Sequence, residues 1–118
     1  MNVASLELCR ELYELSRWEA NFIYYQERYF GEKTGKFTVY RDGERYGDYN
    51  ADFNPKMDIP AYDLGYLLRR LPPDSGVYRE SSGEYWAHSQ ENLGFRADTP
   101  ENATCKLLIE LWKLGVLK

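Results

Sequence analysis

Asp98-Thr99-Pro100-Glu101-Asn102-Ala103-Thr104-Cys105-Lys106-Leu107-Leu108-Ile109-Glu110-Leu111-Trp112-Lys113-Leu114-Gly115 decides how this chain folds. Thr99 is an N-cap residue, and Pro100 suits the first helical position because its missing N–H needs no partner there. Glu101 sits near the positive end of the helix, and Gly115 closes it. Lys106, Glu110 and Lys113 form a single polar stripe, while Leu107, Leu108, Ile109, Leu111, Trp112 and Leu114 fill the rest. A helix apolar around most of its circumference belongs inside, so this is expected to be the most buried helix.

Upstream of it, Gly76 to Ser81, a Ser82-Gly83 turn, Glu84 to Ser89, and Leu93 to Ala97 read as a three-stranded meander. Before the meander, Pro60 suits the first turn of another helix, which Pro72-Pro73 stops. Ala61, Leu64, Leu67, Leu68 and Leu71 fit one face of that helix. Tyr62, Tyr66 and Arg69 fall on the opposite side with Arg70 at its margin. From Ser5 to Trp18 the period is again helical. Leu8, Leu12 and Leu15 share a face that Leu6, Cys9 and Tyr13 widen, against Glu7, Arg10, Glu11, Glu14 and Arg17.

Phe22 to Phe30 and Phe37 to Arg41 are rich in aromatic and β-branched residues and read as strands. Asp42-Gly43 supplies the positive φ angles of a primed hairpin turn, so Phe37–Arg41 is expected to pair with a segment beginning near Glu44. Phe37 and Val39 then face inward and Thr38 and Tyr40 the other way. Tyr46 and Tyr49 follow on the returning arm, before Asn54-Pro55 breaks the pattern. The order α-β-β(-β)-α-β-β-β-α implies an α+β protein, three helices packed on a mostly antiparallel sheet, in a single compact domain spanning 1–118.

A chain of 118 residues that is 43% hydrophobic and 29% charged is long enough to bury one core and needs no staple. Fifteen basic against nineteen acidic residues, with the charges dispersed, argue against direct nucleic-acid binding, which needs clustered Lys and Arg. Cys9 and Cys105 each fall in an apolar helical pattern, so buried free thiols are expected, with a disulfide between the terminal helices as the alternative. No apolar run approaches the ~20 residues of a membrane span and no leader opens the chain, which points to the cytoplasm.

The motifs that suggest chemistry do not hold. Gly31 to Lys36 resembles a phosphate-binding loop, but too few residues separate its glycines and Phe37 stands where Ser or Thr would hold magnesium, so it reads as a hairpin loop. Asp48-Tyr49-Asn50-Ala51-Asp52 opens like a calcium loop, yet Phe53 replaces the bending Gly and Ile59 the bidentate Glu. His88 is the only histidine, which excludes a multi-histidine metal site and reads as an ordinary strand residue. Asn102-Ala103-Thr104 matches a glycosylation site but falls within a helix. The expectation is therefore no enzyme, no metal and no cofactor.

What stands out is aromatic. Eleven of the residues are Tyr, beside three Trp and five Phe, and exposed Tyr points to contact surfaces because it offers a large stiff ring and a hydroxyl. Tyr62, Tyr66, Arg69 and Arg70 form the principal candidate partner-binding stripe, with Tyr40, Tyr46 and Tyr49 around the hairpin behind it. The competing reading lays Tyr62 and Tyr66 against a neighbouring strand or loop and leaves the arginines solvated. A second class of function would use an aromatic pocket built from Tyr24, Tyr25, Tyr85 and Trp86 to bind a planar ligand. A third is a self-associating structural or regulatory component whose tyrosines join copies.

Two segments also carry a resemblance: Ile59-Pro60-Ala61-Tyr62-Asp63-Leu64-Gly65-Tyr66-Leu67-Leu68-Arg69-Arg70-Leu71-Pro72, and Asp98 to Leu111 continuing to Gly115-Val116-Leu117. They resemble small, mostly uncharacterised proteins of bacteriophages and prophages, over about a third of the chain at ordinary helix lengths. The resemblance implies a phage-encoded accessory protein acting in the bacterial cytoplasm by binding a host protein or complex. By analogy, that complex could be a CRISPR-Cas defence effector, as for anti-CRISPR proteins. It carries over no functional residue.

Overall fold

A computed structural model describes residues 2–29, 32–41, 59–90 and 93–117. Helix α1 spans Leu6–Ser16, and three strands follow: β1 Phe22–Tyr29, β2 Glu32–Arg41 and β3 Ile59–Ala61. Helix α2 spans Leu64–Arg70. Strands β4 Gly76–Arg79, β5 Tyr85–His88 and β6 Gly94–Ala97 lead into α3, Pro100–Lys113. Class and element order are those expected. The strands divide into two three-stranded antiparallel sheets, ordered β2-β1-β3 and β4-β5-β6.

α3 joins the two halves. Its cap forms as its sequence demands, with the Thr99 hydroxyl accepting from the Asn102 N–H at 3.1 Å and Pro100 in the first turn. One side, through Cys105, Leu108 and Ile109, packs with Ala4, Cys9, Leu12, Tyr62, Tyr66 and Leu67. The other, through Ala103, Leu107 and Leu111, packs on Ala87 and Ala97 of the second sheet. Two-sided burial explains why only a narrow polar stripe remains on this helix. α1 starts at its Ser5 cap and buries Cys9 and Leu12, with Leu15 at the exposed margin.

The expected start of the second helix is corrected. Pro60 lies in β3, opposite Ile23 of β1, and the helix begins at Leu64 after Asp63. Among the described strands β3 borders its sheet, where a residue lacking an N–H is tolerated. A φ near −65° suits both settings, and the pairing with β1 selects the strand.

The Gly31–Lys36 loop is also shorter than expected, since β2 begins at Glu32. Register slips between Gln26↔Phe37 and Arg28↔Lys33, and Gly35, at φ 80°, occupies the resulting bulge. The described partner of β2 is β1. The Asp42-Gly43 turn, the arm from Glu44, Tyr46, Tyr49, the Asp48–Asp52 stretch and Asn54-Pro55 lie outside the described residues. The Ser82-Gly83 turn forms as expected: Gly83, at φ 92°, donates to the Glu80 carbonyl, and the Glu80 N–H donates to Glu84.

Cys9 and Cys105 are free, buried thiols. Among the described residues no helix is long and apolar enough to cross a membrane, and no three His, Cys, Asp or Glu side chains gather as a metal site would require.

Candidate functional site

The tyrosine stripe turns inward. Tyr62 precedes α2 and is 0% exposed, its hydroxyl donating to the Trp18 carbonyl at 2.6 Å. Its ring stacks on that of Tyr66, 5.4 Å away, and Tyr66 is itself only 9% exposed. The placement of both rings opposite the apolar face is thus corrected. With the helix starting after Asp63, Tyr66 and Leu67 face the core and Leu68 is turned outward.

Burial pushes the hydroxyls of both tyrosines above the ordinary range, Arg70 partly offsetting the effect at Tyr66. The Arg70 guanidinium lies 4.9 Å from the ring centres of both Trp18 and Tyr66 and donates to the Tyr66 hydroxyl at 3.1 Å, so it clamps α2 to the segment after α1. Arg69 and Arg70 remain exposed. Tyr40 pairs with Ile23 through its backbone, and its side chain lies outside what the structure describes.

An aromatic face does reach solvent, on the second sheet. Register aligns Tyr78, Trp86 and Arg96 in one row across three strands, flanked by the Gly76, His88, Gly94 row. Val77, Ala87 and Phe95 alternate with these and point toward α3. Tyr78 is 51% exposed, and its ring lies 5.9 Å from that of His88. The Arg96 guanidinium sits 4.7 Å above Trp86 and is held by Glu80 at 2.6 Å, which raises its pKa. Tyr78, Trp86, His88, Ser89 and Leu93 line a hollow of about 350 Å³, beside which the buried Ser89 hydroxyl has no hydrogen-bond partner among the described residues.

Trp86 lies flat over Gly94. A Cβ there would come 2.0 Å from its Cζ2 atom, so glycine is what lets the ring pack down. Gly94→Ala is expected to keep the fold, destabilise it by about 1 kcal/mol and lift the indole off the sheet. Red-shifted tryptophan emission with unchanged far-UV circular dichroism would show this, and an unmoved emission spectrum would contradict it.

A second concavity, of about 470 Å³, opens between the sheets, lined by Val3, Tyr24 of β1, Val39 of β2, Tyr85 of β5, and Asp98 and Glu101 at the start of α3. The Tyr24 hydroxyl donates to the Ala4 carbonyl at 2.6 Å, and burial pushes its pKa up to about 12. Asn102 ties these walls together, accepting from the Ser5 N–H at 2.7 Å and donating to Asp98 at 3.1 Å. Of the four residues expected to form one aromatic pocket, Tyr24 and Tyr85 meet here. Trp86 faces the other side of the sheet, and the Tyr25 side chain lies outside the described residues.

Sequence reasoning missed the Tyr78, Trp86, Arg96 row, although the alternation that places Phe95 inward is the signal that would have found it. It also saw Glu101 only as a helix-end charge. No protein-family model, curated protein or solved structure matches this chain.

Proposed function

We propose that this chain is a protein-binding module, acting by contact and not by catalysis, and that the outer face of its second sheet is the contact surface. The observation that supports this is the Tyr78, Trp86, Arg96 row, which stands on the face opposite α3. Trp, Tyr and Arg dominate binding hot spots because each offers a large contact area on a stiff or pre-organised side chain. The strands hold all three in register, so little freedom is lost on docking.

The partner in this reading is a protein that inserts an apolar side chain into the hollow beside Trp86. On the phage resemblance the partner is a bacterial host complex, and occlusion of a defence effector is the form the activity takes. That last step is by analogy alone.

Affinity capture from bacterial lysate, comparing wild type with a Trp86→Ala, Arg96→Glu double variant and an Arg69→Ala control, tests the surface. A partner retained by wild type and the control and lost from the folded double variant is the expected result. Equal recovery by all three, or no partner at all, would contradict the proposal. Loss with Arg69→Ala alone would move the contact to α2.

A further inference from the structure

We propose that the concavity between the two sheets is a binding site for a small organic cation with an apolar or planar body, and that Glu101 is its counter-ion. Glu101 is 6% exposed, lines the cavity, and makes no hydrogen bond or ion pair with any described residue. With no described partner, its carboxylate meets the cavity itself, and a charge in so narrow a setting is costly unless something answers it. The first turn of α3 answers part of it, since a helix N-terminus carries roughly +0.5 of a charge. Asp98 adds a second carboxylate at the same mouth, its only described contact being the neutral Asn102 amide. Two carboxylates outweigh the helix end, and among the described residues no basic side chain lines the cavity, so its charge is complementary to a cation.

The walls select the rest of the ligand. Tyr24 and Tyr85 enter from different sheets and present aromatic surface to the same space, while Val3 and Val39 close the apolar remainder. Aromatic rings flanking a carboxylate suit an ammonium or guanidinium group on a planar or aliphatic body, through charge pairing and cation–π attraction. The volume is in the range of small-molecule sites. This site lies apart from the Trp86 face, and neither proposal depends on the other.

Phenethylamine and its neutral counterpart 2-phenylethanol are the probes, titrated into the isotope-labelled protein and followed by backbone amide shifts. Saturable shifts at Val3, Asp98 and Thr99 with the amine are expected, with the alcohol binding at least about tenfold more weakly, as a charged hydrogen bond implies. Glu101→Gln should remove that discrimination. Val39→Trp, which fills the cavity from β2 and leaves both carboxylates in the sequence, should abolish binding of both probes and decides the matter if the Glu101 variant does not fold. Equal binding of amine and alcohol, saturable shifts confined to other surfaces, or no saturable shift at all would overturn the proposal.

Discussion

Tyr62→Ala is expected to destabilise the protein by about 3–5 kcal/mol, the range for truncating a fully buried aromatic side chain. The ring is enclosed by both terminal helices and α2, stacks on Tyr66, and ties the Trp18 carbonyl down through its hydroxyl. Removing it empties the centre of the larger core cluster and takes the donor from a part-buried carbonyl, so the loss of a hydrogen bond adds to the cavity cost. Tyr62→Phe separates them, losing only the hydrogen bond at about 1 kcal/mol. Arg69→Ala, on the exposed side of α2, should change stability by no more than ~0.5 kcal/mol. Urea unfolding of the three variants gives this ranking, and a Tyr62→Ala protein as stable as Arg69→Ala would contradict the buried placement. A folding control is therefore needed before any Tyr62 variant is used to probe binding.

Alkaline pH is the second large effect. Burial pushes the Cys9 thiol from its ordinary 9.0 up to about 12, with the Tyr62 N–H working weakly the other way, and raises Cys105 well above its ordinary value. Tyr24 rises to about 12 and Tyr62 further, again through burial. Each group is a neutral acid that keeps its proton in the folded chain after the unfolded chain has lost it. Below pH 9 both states are protonated and stability is flat with respect to these groups.

Above pH 9 for the thiols and pH 10 for the tyrosines, the native state holds more protons than the unfolded one, so stability falls as pH rises toward the folded value, by about 1.4 kcal/mol per unit for each group. Cys9 alone should account for about 2 kcal/mol between pH 9 and 11. Denaturant unfolding at pH 8, 9, 10 and 11 measures the slope, and Cys9→Ala should flatten it. Constant stability from pH 8 to 11 would show that these thiols and hydroxyls are not enclosed as described.

The first effect originates where the sequence was hardest to read, whereas the buried thiols behind the second follow from the helical patterns around Cys9 and Cys105. The α3 signals are local: a Thr99 hydroxyl reaching its own first turn, a proline where no N–H is needed, a glycine past the end. The meander was legible for the same reason, since Gly83 and the alternation of Leu93, Phe95 and Ala97 act over a few residues. Pro60 was not, because a strand edge and a helix start are equally good for it locally. Its pairing with Ile23, distant in sequence, decides between them. Shifting the helix start to Leu64 moves Tyr62 off the helix and turns Tyr66 into the core, and with them goes the exposed stripe that periodicity implied.

The candidate sites divide the same way. Tyr24 and Tyr85 were legible as pocket-forming residues by type, but Trp86 was grouped with them although it neighbours Tyr85 and so points to the other face of a strand. That Glu101 is buried with no partner among the described residues is invisible in a sequence, where a first-turn glutamate looks like ordinary charge compensation. By itself, the sequence determined the α+β class, the order of elements, both caps of α3 and its burial, because these follow from residue types a few positions apart. Only the tertiary structure decided that the strands form two sheets, that Tyr62 is core, and that Trp86 and Glu101 line separate concavities. Those depend on which distant segments pair and on what each side chain meets there, and no local pattern encodes that encounter.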